Sequence, residues 1–121
     1  MSDYLPSYGP ETVHSFTLTL TGTVTGGQLV TWAGAAAGAA STNVAGVAGQ
    51  DGVSGDKITV WGPGHHKLTA SGSIAQGDPL CGAASGAIRT AVIGTDAANS
   101  VIGRAKSAAS GGSVNASIFG V

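Results

Sequence analysis

The chain has 121 residues, a formal net charge of −1, 21 glycines, 9% charged residues and 5% aromatic residues. That length suits one domain, and side chains this small bury little area each, so a modest core that gains from association with copies of itself is expected. Charge this sparse argues against a phosphate-neutralising surface, and so against nucleic acid as a partner; low charge with ample apolar content argues against disorder.

Residues 1–13 read as an extended N-terminal arm, and residues 14–121 as one β domain. Pro6 and Pro10 forbid a continuous helix and disfavour a central strand. Both tyrosines of the chain, Tyr4 and Tyr8, lie in the arm beside Leu5. Tyrosine combines contact area with a polar handle and is enriched at interfaces, so Tyr4, Leu5, Pro6, Tyr8 and Pro10 are candidate contact residues. The arm has neither the basic start nor the apolar run of a signal peptide, and no apolar stretch of about 18 residues marks a membrane span. No membrane partner is expected. Cys81 is the single cysteine and reads as a buried free thiol.

From His14 to Thr21 the chain alternates, with Phe16, Leu18 and Leu20 on one side and Ser15, Thr17, Thr19 and Thr21 on the other. That is the period of a half-buried strand. Gly26-Gly27 marks a turn, and 28–32 is the next strand. Residues 33–42, AGAAAGAAST, carry no amphipathic stripe and read as a loop or a flat strand of weak register. Further strands are predicted at 43–48, 57–61, 66–70, 79–82, 87–93, 101–106 and 114–119, separated by Gly-, Ser- and Asp-rich turns. One short helical turn is predicted at 95–100, with Thr95 as its N-cap. Short strands at this spacing predict an all-β sandwich or barrel.

The chain echoes itself. Val24, Gly27 and Val30 match Ile74, Gly77 and Leu80; Val44, Gly46 and Ala48 match Val101, Gly103 and Ala105; Ser54-Gly55 and Ile58 match Ser110-Gly111 and Val114. The offset runs from 50 to 57 and back to 56, so the two halves differ in loop length. Two similar β units closing about a pseudo-two-fold axis would remove exposed sheet edges.

Catalytic patterns are missing from the sequence. No glycine run ends in Gly-Lys-Ser/Thr, and no GxSxG elbow occurs. The six acids, Asp3, Glu11, Asp51, Asp56, Asp78 and Asp96, are scattered, mostly at turns where aspartate bonds local backbone. His65-His66 is the most chemical-looking feature, but adjacent strand residues face opposite ways and cannot chelate one metal between them. Neither a metal nor a cofactor is expected. Trp32 and Trp61 each close a predicted strand and read either as large core or rim residues of a thin barrel or as interface anchors; His65 and His66 join them as candidate interface residues.

The strings VTGGQLVTW, NVAGVAGQDGVSGDKITVWGPGHHKLTASGSIAQGDPL and SVIGRAKSAASGGSVNASIFGV resemble the small capsid decoration, or cement, proteins of tailed bacteriophages. The resemblance spans about residues 23–121 and is strongest over Leu68–Leu80. It implies a compact β-barrel or β-tulip subunit and no enzymatic activity. It further implies a homotrimer at local three-fold positions on the outside of the mature capsid, assembled in the host cytoplasm. Its partners would be the major capsid protein and further copies of itself, with the arm reaching across neighbouring capsid subunits. The alternatives are a small trimeric β-barrel enzyme, which would need a polar pocket with a perturbed acid or histidine, and a tail or fibre module, which would show longer regular repeats.

Overall fold

A computed structural model describes residues 15–118. The protein is all-β, with two antiparallel sheets. The strands are β1 (Ser15–Thr19), β2 (Leu29–Thr31), β3 (Val44–Ala48), β4 (Lys57–Trp61), β5 (Gly64–Thr69), β6 (Pro79–Gly82), β7 (Ile88–Thr90), β8 (Val101–Ala105) and β9 (Ser113–Ile118). The first sheet runs β1-β4-β3-β2 and the second β5-β9-β8-β6-β7.

The internal echo is a structural repeat. Replacing β1, β2, β3 and β4 by β5, β6, β8 and β9 turns the first strand order into the second, apart from the added β7. Val30 lies opposite Gly46, as Leu80 lies opposite Gly103, and both ladders slip register immediately afterwards, at Val30/Thr31 and at Leu80/Cys81. The turns match too. The Gly27 amide donates to the Ala48 carbonyl at 2.8 Å, and the Gly77 amide to the Ala105 carbonyl at 2.8 Å. β7 has a remnant in the first unit, the isolated bridge Val30–Ala36.

Closure happens within each unit rather than between them. In the first, the Thr21 amide donates to the Gly34 carbonyl at 2.9 Å, joining the end of β1 to the chain that folds back on β2. In the second, the Ser71 amide donates to the Ile88 carbonyl at 2.8 Å, beside the Ala70–Ile88 bridge. Each sheet therefore curls into a small ring. Residues 33–42 are neither plain loop nor free strand, because their middle supplies the closing arm. At Gly34, with φ +92°, an added Cβ would lie 2.5 Å from the Thr19 carbonyl oxygen, so the crossing requires glycine.

The first ring is filled by Leu20, Val24, Val30, Ala48, Ile58 and Val60, with Phe16, Leu18 and Ala36 packed against them. The repeat places Leu68, Ile74, Leu80, Ala105, Val114 and Ala116 in the second, and this cluster continues into Leu29, Ala37, Val44 and Val47 of the first unit. Leu29 and Val47 face away from the first ring's interior, opposite each other in the ladder. The β2-β3 half of the first sheet is therefore covered on both faces, and these two strands are buried along their whole length. The second unit's longer hairpin fastens the two together. Its 3-10 turn, Ala84–Gly86, places the Gly86 amide 2.8 Å from the Ala37 carbonyl and the Ser85 carbonyl 2.8 Å from Gln28 Nε2.

Two expectations need correction. The strand predicted at 87–93 ends at Thr90, so Val92 and Ile93 leave the sheet. The helical turn lies at Ala98–Ser100, and the residue before it is Ala97, which makes no side-chain cap. Thr95 is not an N-cap; Asp96 beside it is committed to a partner outside the turn.

Candidate functional site

The sequence candidates that fall within the described residues gather at one end of the first ring and the adjoining edge of the second. β1 begins and β4 ends here, with Ser15 opposite Trp61 and Phe16 opposite Val60. Trp32, just past β2, continues on the Val30 side and stacks on Phe16, with ring centroids 5.0 Å apart and planes inclined by 17°. It remains 60% exposed. Trp61 sits on the other side of the sheet, opposite Val47, and is 42% exposed. Both tryptophans are therefore rim residues. They share one end of the ring but face opposite sides of its wall, and solvent-exposed indoles of this kind are typical interface anchors.

His65 and His66 follow on β5. His65 is exposed opposite Ser117, whereas His66 lies opposite Ala116 with Nε2 3.0 Å from the Gly62 carbonyl oxygen. The imidazoles point to opposite faces, as strand geometry requires. Among the described residues no group of three or more His, Cys, Asp or Glu side chains could hold a metal ion. Tyr4, Leu5, Pro6, Tyr8 and Pro10 lie outside the described residues.

A second apolar feature was not legible in the sequence. Val92 and Ile93 project from a tight turn, and Ile93 is 75% exposed. The turn is held by Asp96. Its carboxylate accepts from Arg89 Nη1 at 2.9 Å and Nη2 at 2.8 Å, and from the Val92 amide at 2.7 Å. The Arg89 guanidinium holds the Asp96 carboxyl down at about 2, helped by the Val92 amide. The hint in the sequence was Gly94, two residues before an acid, but the identity of the partner across the hairpin was not readable. Behind this clamp Cys81 is buried, and burial pushes its thiol pKa up, which keeps it protonated and inert.

The clamp gives a prediction. A carboxyl depressed below its unfolded value contributes stability above that value and loses it as pH falls through the folded value. Asp96→Asn is therefore expected to lower the melting temperature at pH 5 and above. The gap to wild type should close as pH is taken down from about 4 toward about 2. Thermal melts of both proteins across that range measure it; a gap independent of pH would show that the ion pair does not hold the turn.

A family profile described as phage cement protein matches residues 10–119. The chain belongs to the phage cement protein family. Comparison with curated protein sequences gives no match. Among solved structures, the head fiber gp8.5 N base of bacteriophage phi29 superposes with a TM-score of 0.67 at 23% identity, covering 86% of this chain and 92% of that one. At that identity the likeness is one of fold. Family membership makes this cement protein a structural component of the virion, of the class that decorates and stabilises the capsid.

Proposed function

We propose that three copies of this cement protein associate and seat on the outer surface of the mature capsid at local three-fold positions. There they bind the major capsid protein and clamp the lattice. The observation that carries the reading is the Phe16–Trp32 stack with Trp61, exposed at the end of the ring where residues 1–14 join β1. Large aromatic surface on a chain with 9% charged residues is suited to desolvated contact with other protein. The role requires no catalysis, cofactor, nucleic acid or membrane. It requires higher affinity for the expanded lattice than for the immature one. Three linked subunits engage one site together, so weak single contacts add through effective concentration, and binding stabilises the shell by mass action. The protein is made in the host cytoplasm and ends on the virion exterior.

The test has three parts. Light scattering of the purified protein is expected to give the trimer mass; a stable monomer at micromolar concentration would remove the trimer from the mechanism. Sedimentation with undecorated heads is expected to saturate on expanded shells and to fail on immature ones. A chain lacking residues 1–12 is expected to melt like wild type but to occupy fewer sites, and equal occupancy would take the arm out of the contact.

A further inference from the structure

The cations of this chain are not scattered. Of five lysines and arginines, Lys57 belongs to the first unit and Arg89 is paired with Asp96. The other three, Lys67, Arg104 and Lys106, are all exposed on the outer face of the β5-β9-β8 sheet. His65, Ser117 and Arg104 form one cross-strand row of that face, since Ser117 is opposite both of the others. Lys67 lies opposite Asn115, and the Lys106 amide donates to the Asn115 carbonyl at 2.7 Å, which continues the ladder one row down. Arg104 is fixed in place by donating from Nη1 to the Gly77 carbonyl at 3.1 Å. Among the described residues no carboxylate is ion-paired with Lys67, Arg104 or Lys106. Asp78, beside Pro79 opposite Arg104, accepts instead from the Ala75 amide and the Thr90 hydroxyl at 2.9 Å each, and the ion pair among the described residues is Arg89–Asp96.

The arm has the complementary charge. Residues 1–13 contain Asp3 and Glu11 and no lysine or arginine. It also starts from the right place. The chain enters β1 at Ser15, opposite Trp61, and β5 begins at Gly64, only three residues beyond Trp61 and within about 10 Å of chain. Glu11 is four residues before Ser15, so an extended arm carries it about 14 Å, and Asp3 about 40 Å, from that point. These lengths span the His65–Arg104 row and the Lys67–Lys106 row beyond it.

We infer that the chain's own N-terminal arm docks along the basic outer face of β5-β9-β8 in the free subunit. The docking is electrostatic and therefore weak and salt-sensitive. It holds the Tyr4–Tyr8 segment against its own subunit. This inference concerns the unassembled protein and stands apart from the capsid and trimer readings above.

The test is chymotrypsin cleavage after Tyr4 and Tyr8 in the purified full-length protein. At low ionic strength the arm is expected to be protected, and cleavage should rise several-fold at high salt. Lys67→Glu with Arg104→Glu is expected to give the fast rate at low salt. Adding Asp3→Lys and Glu11→Lys to that variant should restore protection, which simple damage to the fold would not do. Equal cleavage in all variants, or protection indifferent to salt, would overturn the inference. A disulfide between Ser7→Cys and Asn115→Cys tests whose arm is docked: a cross-link within one chain supports it, whereas one found only between chains assigns the face to a neighbour's arm and overturns it.

Discussion

Gly103→Ala is expected to strongly destabilise the second ring, and Gly46→Ala the first. The two glycines occupy equivalent places in the repeat, each opposite an inward-facing aliphatic, Leu80 and Val30. An alanine Cβ at Gly103 would lie 2.1 Å from the Ser117 carbonyl oxygen and 2.8 Å from the Ile118 Cα. At Gly46 it would lie 2.3 Å from the Trp61 carbonyl oxygen and 2.8 Å from Val60 Cγ1. The obstacle in both cases is the backbone of the next strand, which cannot rotate away as a side chain could. Relief requires the strands to separate, and overpacking of this kind costs about 3 kcal/mol, or roughly 10 °C in a domain of this size. Gly38→Ala is the control, since it meets nothing within 4 Å and needs no positive φ; it is expected to stay within about 0.5 kcal/mol of wild type. Thermal melts followed by circular dichroism decide the matter. A Gly103→Ala protein melting with the Gly38→Ala control would mean that the strands are not held this close.

Trp32→Ala is expected to weaken binding to expanded heads by about 30-fold, the loss of one interface anchor worth about 2 kcal/mol. Its effect on folding is smaller, about 1 kcal/mol for the lost stack on Phe16. Trp32→Phe keeps an aromatic face on Phe16 and should recover much of both. Trp61→Ala is expected to behave as Trp32→Ala does. Val53 separates a local effect from a general one: it too is an exposed apolar residue, but it lies in the turn before β4, at the opposite end of the ring from Trp61. Val53→Ala should bind heads as wild type does. If Val53→Ala and Trp32→Ala lose affinity equally, the aromatic end is not the contact surface.

The strands that could be read in advance were those whose neighbours impose a strict period. Ser15–Thr19 alternates because one side fills the first ring and the other meets solvent. The Val-x-Gly-x-Ala repeat was visible because the same close approach of backbone occurs twice and admits only glycine. The segment 33–42 was opaque for the opposite reason. Apart from the small side chains of Ala36 and Ala37, its contribution is backbone bonds such as Thr21 to Gly34 and Ala37 to Leu29, and backbone bonds leave no trace in side-chain periodicity. The end of β7 was misplaced because Val92 and Ile93 look like strand residues, and the Arg89–Asp96 pair that turns the chain away is a tertiary contact. At the candidate site the aromatics were identifiable by type, but their exposure depended on where each strand stopped. The gathering of Lys67, Arg104 and Lys106 required the register of three strands, which no single segment encodes.

Each ring is sealed by a short seam, Thr21 to Gly34 and Ala33 in one and the Ala70–Ile88 bridge with its Ser71 amide in the other. Such a seam is a natural first point of unzipping, because it is shorter than the β1–β4 and β5–β9 ladders, whose bonds must break together. The Thr21 and Ser71 amides should therefore exchange with deuterium well before those of Val47 or Leu80. A sheet parted there lays bare the free margins of β1 and β5, ready to capture a strand from another molecule.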